Sequence, residues 1–155
     1  MLKIMASTQM TKAKAMARVA RETLARVIYD TEERKLTPKV ILVVDYTDVI
    51  MFLMEELREF DPLEITVGIS NIVVNVDKFN ESNGNNRLII VNSFLYNGFS
   101  LHDTTGMFPR FMYIMPNHSI NGANQAISRV DRSGTIGKVN IRFFMALVKS
   151  VKSRF

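Results

Sequence analysis

A glutamine and two arginines recur at helical spacing near the end of the sequence. The segment reads Gln125-Ala-Ile-Ser-Arg129-Val-Asp-Arg132, and at 100° per residue its three long polar side chains fall within about 60° of one another. The apolar residues cluster on the opposite side of the helix: Ala123, Ala126, Ile127 and Val130. Because guanidiniums bind phosphate oxygens in a planar, bidentate fashion, the row predicts a phosphate-binding face. The alternative is a solvated basic face on an amphipathic helix.

The segments that must position this row are helical and apolar ones that alternate along the chain. Helical spacing covers residues 8–28, 45–60, 72–79 and 119–132, and short apolar runs cover residues 40–44, 65–69, 88–91, 111–115 and 139–148. Residues 31–38 form a polar link. Wholly apolar runs are typical of parallel strands that are buried on both faces. The sequence therefore predicts an α/β fold of three layers, with a mainly parallel central sheet and helices on both faces.

Polar side chains follow three of the predicted strands, where ligands bind in sheets of this kind. These side chains are Tyr46, Thr47, Ser70, Asn71, Asn92 and Ser93. Hydroxyls and amides contact nucleic-acid phosphates as readily as basic side chains do. As a set they predict a phosphate-contacting edge, and the alternative for each residue is that it only caps a helix.

Charge is distributed unevenly over the 155 residues. Residues 1–40 carry a net +5, residues 41–120 a net −6 and residues 121–155 a net +6. Two basic ends indicate a polyanionic partner. The sequence has no Cys, which excludes thiol catalysis, Cys-ligated zinc and disulfides.

Neither a metal site nor a membrane segment is predicted. The only histidines, His102 and His118, have no ligand-spaced partner, and a loop hydrogen bond is the expected role of His102 beside Asp103. The longest apolar stretch is interrupted by Asp45 and Asp48, so it does not form a membrane span. We expect a soluble, intracellular protein.

The glutamine–arginine row resembles the sixth motif of superfamily 2 helicases and related nucleic-acid translocases, with Ser128 where the family usually has Gly. Residues 39–47 resemble the fourth motif. Residues 79–80, 87–93 and 97–101 resemble the fifth, and residues 109–116 the strand between the fifth and sixth. The segment Gly98-Phe-Ser-Leu is nearer the Snf2-like branch. The motifs follow the family order over about residues 35–148.

The resemblance implies the second RecA-like domain of such an enzyme, which binds ATP and Mg²⁺ together with a first domain. It makes Arg132 the principal arginine finger and Arg129 a second phosphate contact. Gln125 would orient the helix or an attacking water. Gly98 and Ser100 would approach the nucleotide or couple it to nucleic acid, although Ser100 lacks the carboxylate that many relatives use against the ribose.

The resemblance also implies partners. The sequence contains no Gly-x-x-x-x-Gly-Lys-Ser/Thr P-loop, so a P-loop-containing RecA-like domain must come from the same longer chain or a separate subunit. Without it we expect no ATP hydrolysis. The nucleic acid is DNA or RNA. We interpret residues 1–155 as one domain, with a leading helix at 1–34, a motif-bearing core at 35–148 and a basic tail at 149–155.

Two other functions fit parts of this pattern. A non-catalytic RecA-like module that binds nucleic acid or a partner protein would explain the missing P-loop, but it need not keep both Arg129 and Arg132. A small α/β enzyme acting on a phosphorylated metabolite would explain the fold but not the order of the motifs. Divergent motifs in so compact a domain are compatible with a viral source.

Overall fold

The helices and strands alternate as the sequence predicts. The computed structural model describes residues 2–66, 68, 71–81, 84–92, 100–116, 127 and 139–145, with side chains from residue 8 onward. Its helices are α1 (Leu2–Ala25), α2 (Thr47–Glu56) and α3 (Ile72–Asn80), and a short 3-10 helix spans Arg58–Phe60. Its strands are β1 (Ile28–Tyr29), β2 (Lys35–Leu36), β3 (Lys39–Val43), β4 (Leu63–Ile65), β5 (Leu88–Val91), β6 (Arg110–Ile114) and β7 (Val139–Phe143).

Five of these strands form one parallel sheet in the order β4-β5-β3-β6-β7. The central strand β3 pairs Val40 with Leu88 of β5 on one side and with Phe111 of β6 on the other. Every residue of β3, β5 and β6 is buried, whereas the outermost strands β4 and β7 are only partly buried. The three inner strands are wholly apolar after their first residue because both of their faces are covered.

Each face of the sheet packs against its own helices. On one face α1 and α2 cover the even-numbered residues of β3, such as Val40 and Leu42, in a single apolar cluster. On the other face α3 covers the odd-numbered residues, such as Ile41 and Val43, and Ile127 packs against the same cluster. This arrangement confirms the three-layer α/β prediction.

Residues 28–36 differ from the prediction. We expected the leading helix to reach Ile28 and a polar link to follow, but α1 ends at Ala25 and a two-stranded hairpin forms from β1 and β2. The Asp30 carboxylate organises its turn by accepting hydrogen bonds from the backbone N–H groups of Glu32 (2.9 Å) and Arg34 (2.8 Å). The leading segment is therefore a helix followed by a hairpin.

One buried hydrogen bond joins α1 to the sheet. The Thr23 hydroxyl donates to the carbonyl of Val19 at 2.9 Å, so the Tyr113 hydroxyl donates to Thr23 across 2.5 Å. Both side chains are buried, and the Tyr113 ring meets Phe144 edge to face with centroids 5.9 Å apart. The contact fixes α1 over β6.

Replacing Tyr113 with phenylalanine should lower the free energy of unfolding by about 1 kcal/mol, because the ring stays packed and a single buried hydrogen bond is lost. The Thr23 hydroxyl keeps its bond to Val19, so no buried donor is left unsatisfied. Urea unfolding of the two proteins measures the difference. A variant as stable as the parent would show that this bond contributes nothing to the docking of α1.

Candidate functional site

The carboxyl-terminal edge of the sheet brings together several of the predicted nucleic-acid contacts. Val44 N–H donates to the Val91 carbonyl at 2.9 Å, which aligns the ends of β3 and β5. Tyr46 and Thr47 follow β3, and the buried Asn92 follows β5, where its N–H donates to Ile65 at 2.9 Å. Residues from three strand ends therefore meet at one edge.

Capping does not explain the side chains that begin the two helices at this edge. Tyr46 and Asn71 are the N-cap residues of α2 and α3, and within the described part of the chain neither side chain makes a capping hydrogen bond. Asn71 is exposed, and Tyr46 packs partly against the core. In the first turn of α2 the Asp48 carboxylate instead accepts from the Val49 N–H at 3.0 Å, whereas the first turn of α3 contains no acid. A helix N-terminus without such an acid attracts anionic groups. The capping alternative is therefore wrong for these two residues.

Ser100 lies at the opposite, amino-terminal edge of the sheet. Its carbonyl accepts a hydrogen bond from Nδ2 of Asn80, the last residue of α3, at 2.7 Å. The next carbonyl, that of Leu101, accepts from Nε of Arg110, the first residue of β6, at 2.7 Å. The Ser100 hydroxyl hydrogen-bonds Nδ1 of His102, the kind of loop bond expected for that histidine. The structure thus separates Ser100 from Asn92, and its role toward a nucleotide stays a prediction.

The remaining predicted site residues lie outside the described part of the chain. They are Gln125, Arg129, Arg132, Gly98, Ser70 and Ser93. Ile127 is described within that glutamine–arginine segment: it is helical, and it packs where its predicted apolar face should pack.

Lys39 was not predicted as a functional residue, yet it is fully buried at the amino end of β3. Its Nζ donates to the carbonyls of Phe79 at 2.5 Å and Glu81 at 2.8 Å, which end α3. It also lies 5.4 Å from the ring centroid of Phe79 and 5.0 Å from that of Phe108. A cation at the carboxyl end of a helix complements the helix dipole. Lys39 therefore anchors the end of α3 to the central strand.

Arg110 occupies the matching position in the neighbouring strand, since β3 and β6 pair Lys39 with Arg110. Its guanidinium donates to the carbonyls of Leu101 at 2.7 Å and Phe108 at 3.0 Å, and more weakly at 3.4 Å to the His102 carbonyl. The side chain is 2 % exposed. These bonds fasten residues 101–108 to the start of β6.

Both buried cations have a lowered pKa, and the same acid opposes both shifts. Burial, followed by the charge of Arg110, lowers the pKa of Lys39 from 10.5 to about 8. Burial lowers the pKa of Arg110 from 12.5 to about 10. The charge of the buried Asp103 opposes both shifts. We call Lys39, Arg110 and Asp103 the buried-charge cluster.

A sequence signal for the buried-charge cluster does exist. Lys39 and Arg110 each stand between a proline and a wholly apolar run, in Pro38-Lys39-Val40 and Pro109-Arg110-Phe111. A cation at the first position of a strand that is otherwise buried on both faces has to enter the interior or stop the strand. In this chain both cations are buried in the interior, because backbone carbonyls accept their hydrogen bonds.

The shifted pKa of Lys39 predicts that the folded protein gains stability as the pH rises from about 8 toward 10.5. In this window the unfolded chain still binds the proton that the folded chain has lost. Because of this group, the free energy of unfolding should rise by about 2 kcal/mol between pH 7.5 and pH 10. Urea unfolding at the two pH values measures this rise in the free energy of unfolding. The parent should show it, and Lys39→Met should not. An equal pH dependence in both proteins would contradict the assignment.

Comparison with known proteins finds similarity in structure rather than in sequence. No protein-family model and no curated protein matches the sequence. A solved structure does match, the crystal structure of the C-terminal part of the Fun30 ATPase domain, with a TM-score of 0.55 and 21 % identity. The chain therefore has a RecA-like fold. This confirms, at the level of the fold, the resemblance to a second RecA-like domain.

The match covers 68 % of this chain and 34 % of the solved one, so the chain spans about a third of that structure's length. The comparison gives no support to a viral source. None of the described helices is long and apolar enough to cross a membrane. The described residues also contain no group of three or more acids or histidines placed to hold a metal ion.

Proposed function

We propose that this chain is the second RecA-like domain of an ATP-dependent nucleic-acid helicase or translocase. It would supply Arg132 and Arg129 to ATP and Mg²⁺ held by a P-loop-containing RecA-like domain. Gln125 would orient the helix or the attacking water, and Gly98 would approach the nucleotide or couple it to nucleic acid. The likeness of the fold to the C-terminal part of an ATPase domain supports this assignment.

The packing of Ile127 is the observation that supports the proposal most directly. Ile127 is helical and lies against the sheet face formed by Ile41 and Met112, among others. On a continuous helix Gln125, Arg129 and Arg132 project about 140–200° away from Ile127. The row would then face away from the sheet, where a second domain can present its nucleotide. Guanidiniums placed there would stabilise the charge that develops on the transferred phosphoryl group.

Nucleic acid would run across the carboxyl-terminal edge of the sheet. The contacts we propose are Tyr46, Thr47, Ser70, Asn71, Asn92 and Ser93. The N-terminus of α3 supports this surface, because the Asn71 side chain makes no capping bond and no acid stands in the first turn of the helix. The N-terminus of α2 contributes less, because the Asp48 carboxylate already accepts the Val49 N–H there.

The assembled activity tests the proposal. The chain alone should not hydrolyse ATP, and adding a P-loop-containing RecA-like domain from the same source should produce hydrolysis that nucleic acid stimulates. A Thr47→Ala, Asn71→Ala variant should lose most of the stimulation at a limiting concentration of nucleic acid. If every such domain leaves the mixture inactive while the chain still binds an oligonucleotide, the chain is a non-catalytic module instead.

A further inference from the structure

Two adjoining clefts flank the β1–β2 hairpin at the amino-terminal edge of the sheet. The larger has a volume of about 430 Å³ and an apolar floor that includes Ile28, Leu36 and Phe111. The smaller has a volume of about 240 Å³ and shares Leu36 with the larger. A cleft of a few hundred Å³ with an apolar floor is typical of a ligand site. Neither cleft belongs to the strand-end surface described above.

The smaller cleft is cationic. Over the residues that the structure describes, its lining contains Arg26, Lys35 and Arg87 and no acidic side chain. Arg87 is held in place because its guanidinium donates to the carbonyls of Leu24 at 2.9 Å and Pro38 at 3.1 Å. Such a lining attracts an anion, and phosphate is the anion that guanidiniums bind best.

The larger cleft presents an aromatic ring beside this charge. Tyr29 lies at the cleft and is 61 % exposed. It is paired across the hairpin with Lys35, so the two side chains share one face with their Cβ atoms about 5 Å apart. Arg26 links the two clefts, since its guanidinium carbon lies 5.7 Å from the centroid of the Phe111 ring.

The acidic groups of the hairpin do not cancel this charge. Asp30 pairs with Arg34 at 2.7 Å, and Glu32 approaches the same guanidinium at 3.4 Å. Arg34 thus pairs with two of the three acids near the turn. The third, Glu33, lines neither cleft, whereas Arg26, Lys35 and Arg87 line the smaller one. An exposed ring next to a cationic groove is the combination by which proteins hold single strands, with bases stacked on the ring and phosphates in the groove.

We propose that the hairpin is a contact for single-stranded nucleic acid, with a base stacked on Tyr29 and the adjoining phosphates bound by Lys35, Arg26 and Arg87. This surface lies at the opposite edge of the sheet from the strand-end loops. It therefore extends the path of the strand beyond the surface proposed above and does not require the ATP site.

Fluorescence anisotropy with labelled oligothymidylate and oligouridylate of about 15 nucleotides tests the proposal on the full chain. Tyr29→Ala should weaken binding of one or both probes by roughly tenfold or more, whereas Tyr29→Phe should bind like the parent. Lys35→Gln should reduce the slope of log affinity against log salt by about 0.7, the loss of one phosphate contact. Lys14→Gln, an exposed change on α1, is the matched charge control and should leave the slope unchanged.

Four results would overturn the proposal. These are failure of the chain to bind either probe, unchanged affinity in Tyr29→Ala, equal slopes in the two lysine variants, and competition by free thymidine monophosphate as effective as that by the strand. The last would indicate a mononucleotide pocket. Tyr29 and Lys35 are exposed, so their replacement leaves folding intact. The Thr47→Ala, Asn71→Ala variant reports separately on the strand-end surface, so failure of one surface does not imply failure of the other.

Discussion

Replacing Arg132 with alanine is expected to abolish ATP hydrolysis by the assembled enzyme, lowering kcat by about 10³–10⁵. A guanidinium that reaches the γ-phosphate acts on charge that exists only in the transition state, so its loss reduces kcat rather than ground-state affinity. Nucleic-acid binding should stay nearly intact, because phosphate contacts on the strand are made elsewhere. Steady-state ATPase rates and oligonucleotide anisotropy on the same preparation measure both quantities.

Two further variants sharpen this test. Arg132→Lys keeps the charge but loses the planar fork, so it should recover only part of the rate. Arg142→Ala removes an exposed arginine from β7 and should leave the rate unchanged. Equal losses of hydrolysis and strand binding in Arg132→Ala would contradict the arginine-finger assignment.

Replacing Arg110 with methionine is expected to lower the free energy of unfolding by about 3 kcal/mol. Methionine fills the space, but the buried carbonyl of Leu101 and the partly buried one of Phe108 lose the guanidinium that donates to them. This loss of stability is partly offset, because the substitution also removes a cation that repels the charge of Lys39. For the same reason the pKa of Lys39 should rise in the variant. Urea unfolding at pH 7 measures the stability.

Arg58→Met is the matched control for this substitution. The Arg58 side chain is 77 % exposed and pairs with Glu55 at 3.3 Å, so its loss should change stability by less than about 1 kcal/mol. Arg110→Lys should recover only part of the loss, because one ammonium cannot replace the fork. If Arg110→Met is as stable as the parent, the prediction is wrong. The free energy lost by desolvating the guanidinium would then equal the stabilisation from its hydrogen bonds.

The inner strands could be predicted because strands buried on both faces consist of consecutive apolar residues. The run at 88–91 has the same bounds in the sequence and in the structure. The hairpin could not be predicted in the same way. Its strands have two residues each, too few to show a period, and its turn lacks the usual glycine or asparagine: Glu33 takes a φ of 62° there.

The candidate site was predictable only where it depends on strand ends. Tyr46 and Asn92 lie together because the ends of β3 and β5 are in register. The role of Ser100 toward a nucleotide was implied only by the resemblance of residues 97–101 to the fifth motif, and Ser100 lies at the other edge of the sheet. The buried-charge cluster depends on carbonyls from α3 and residues 101–108, which no local pattern relates to Lys39.

The central position of β3 has a consequence for how the chain is made. As the polypeptide emerges from the ribosome, β3 is the first strand of the large sheet, but both of its neighbours come later, at residues 88–91 and 110–114. Until then an apolar strand has two unpaired edges, which are templates for aggregation. Nascent chains that end before residue 110 should therefore depend on a chaperone, and longer ones should be released from it.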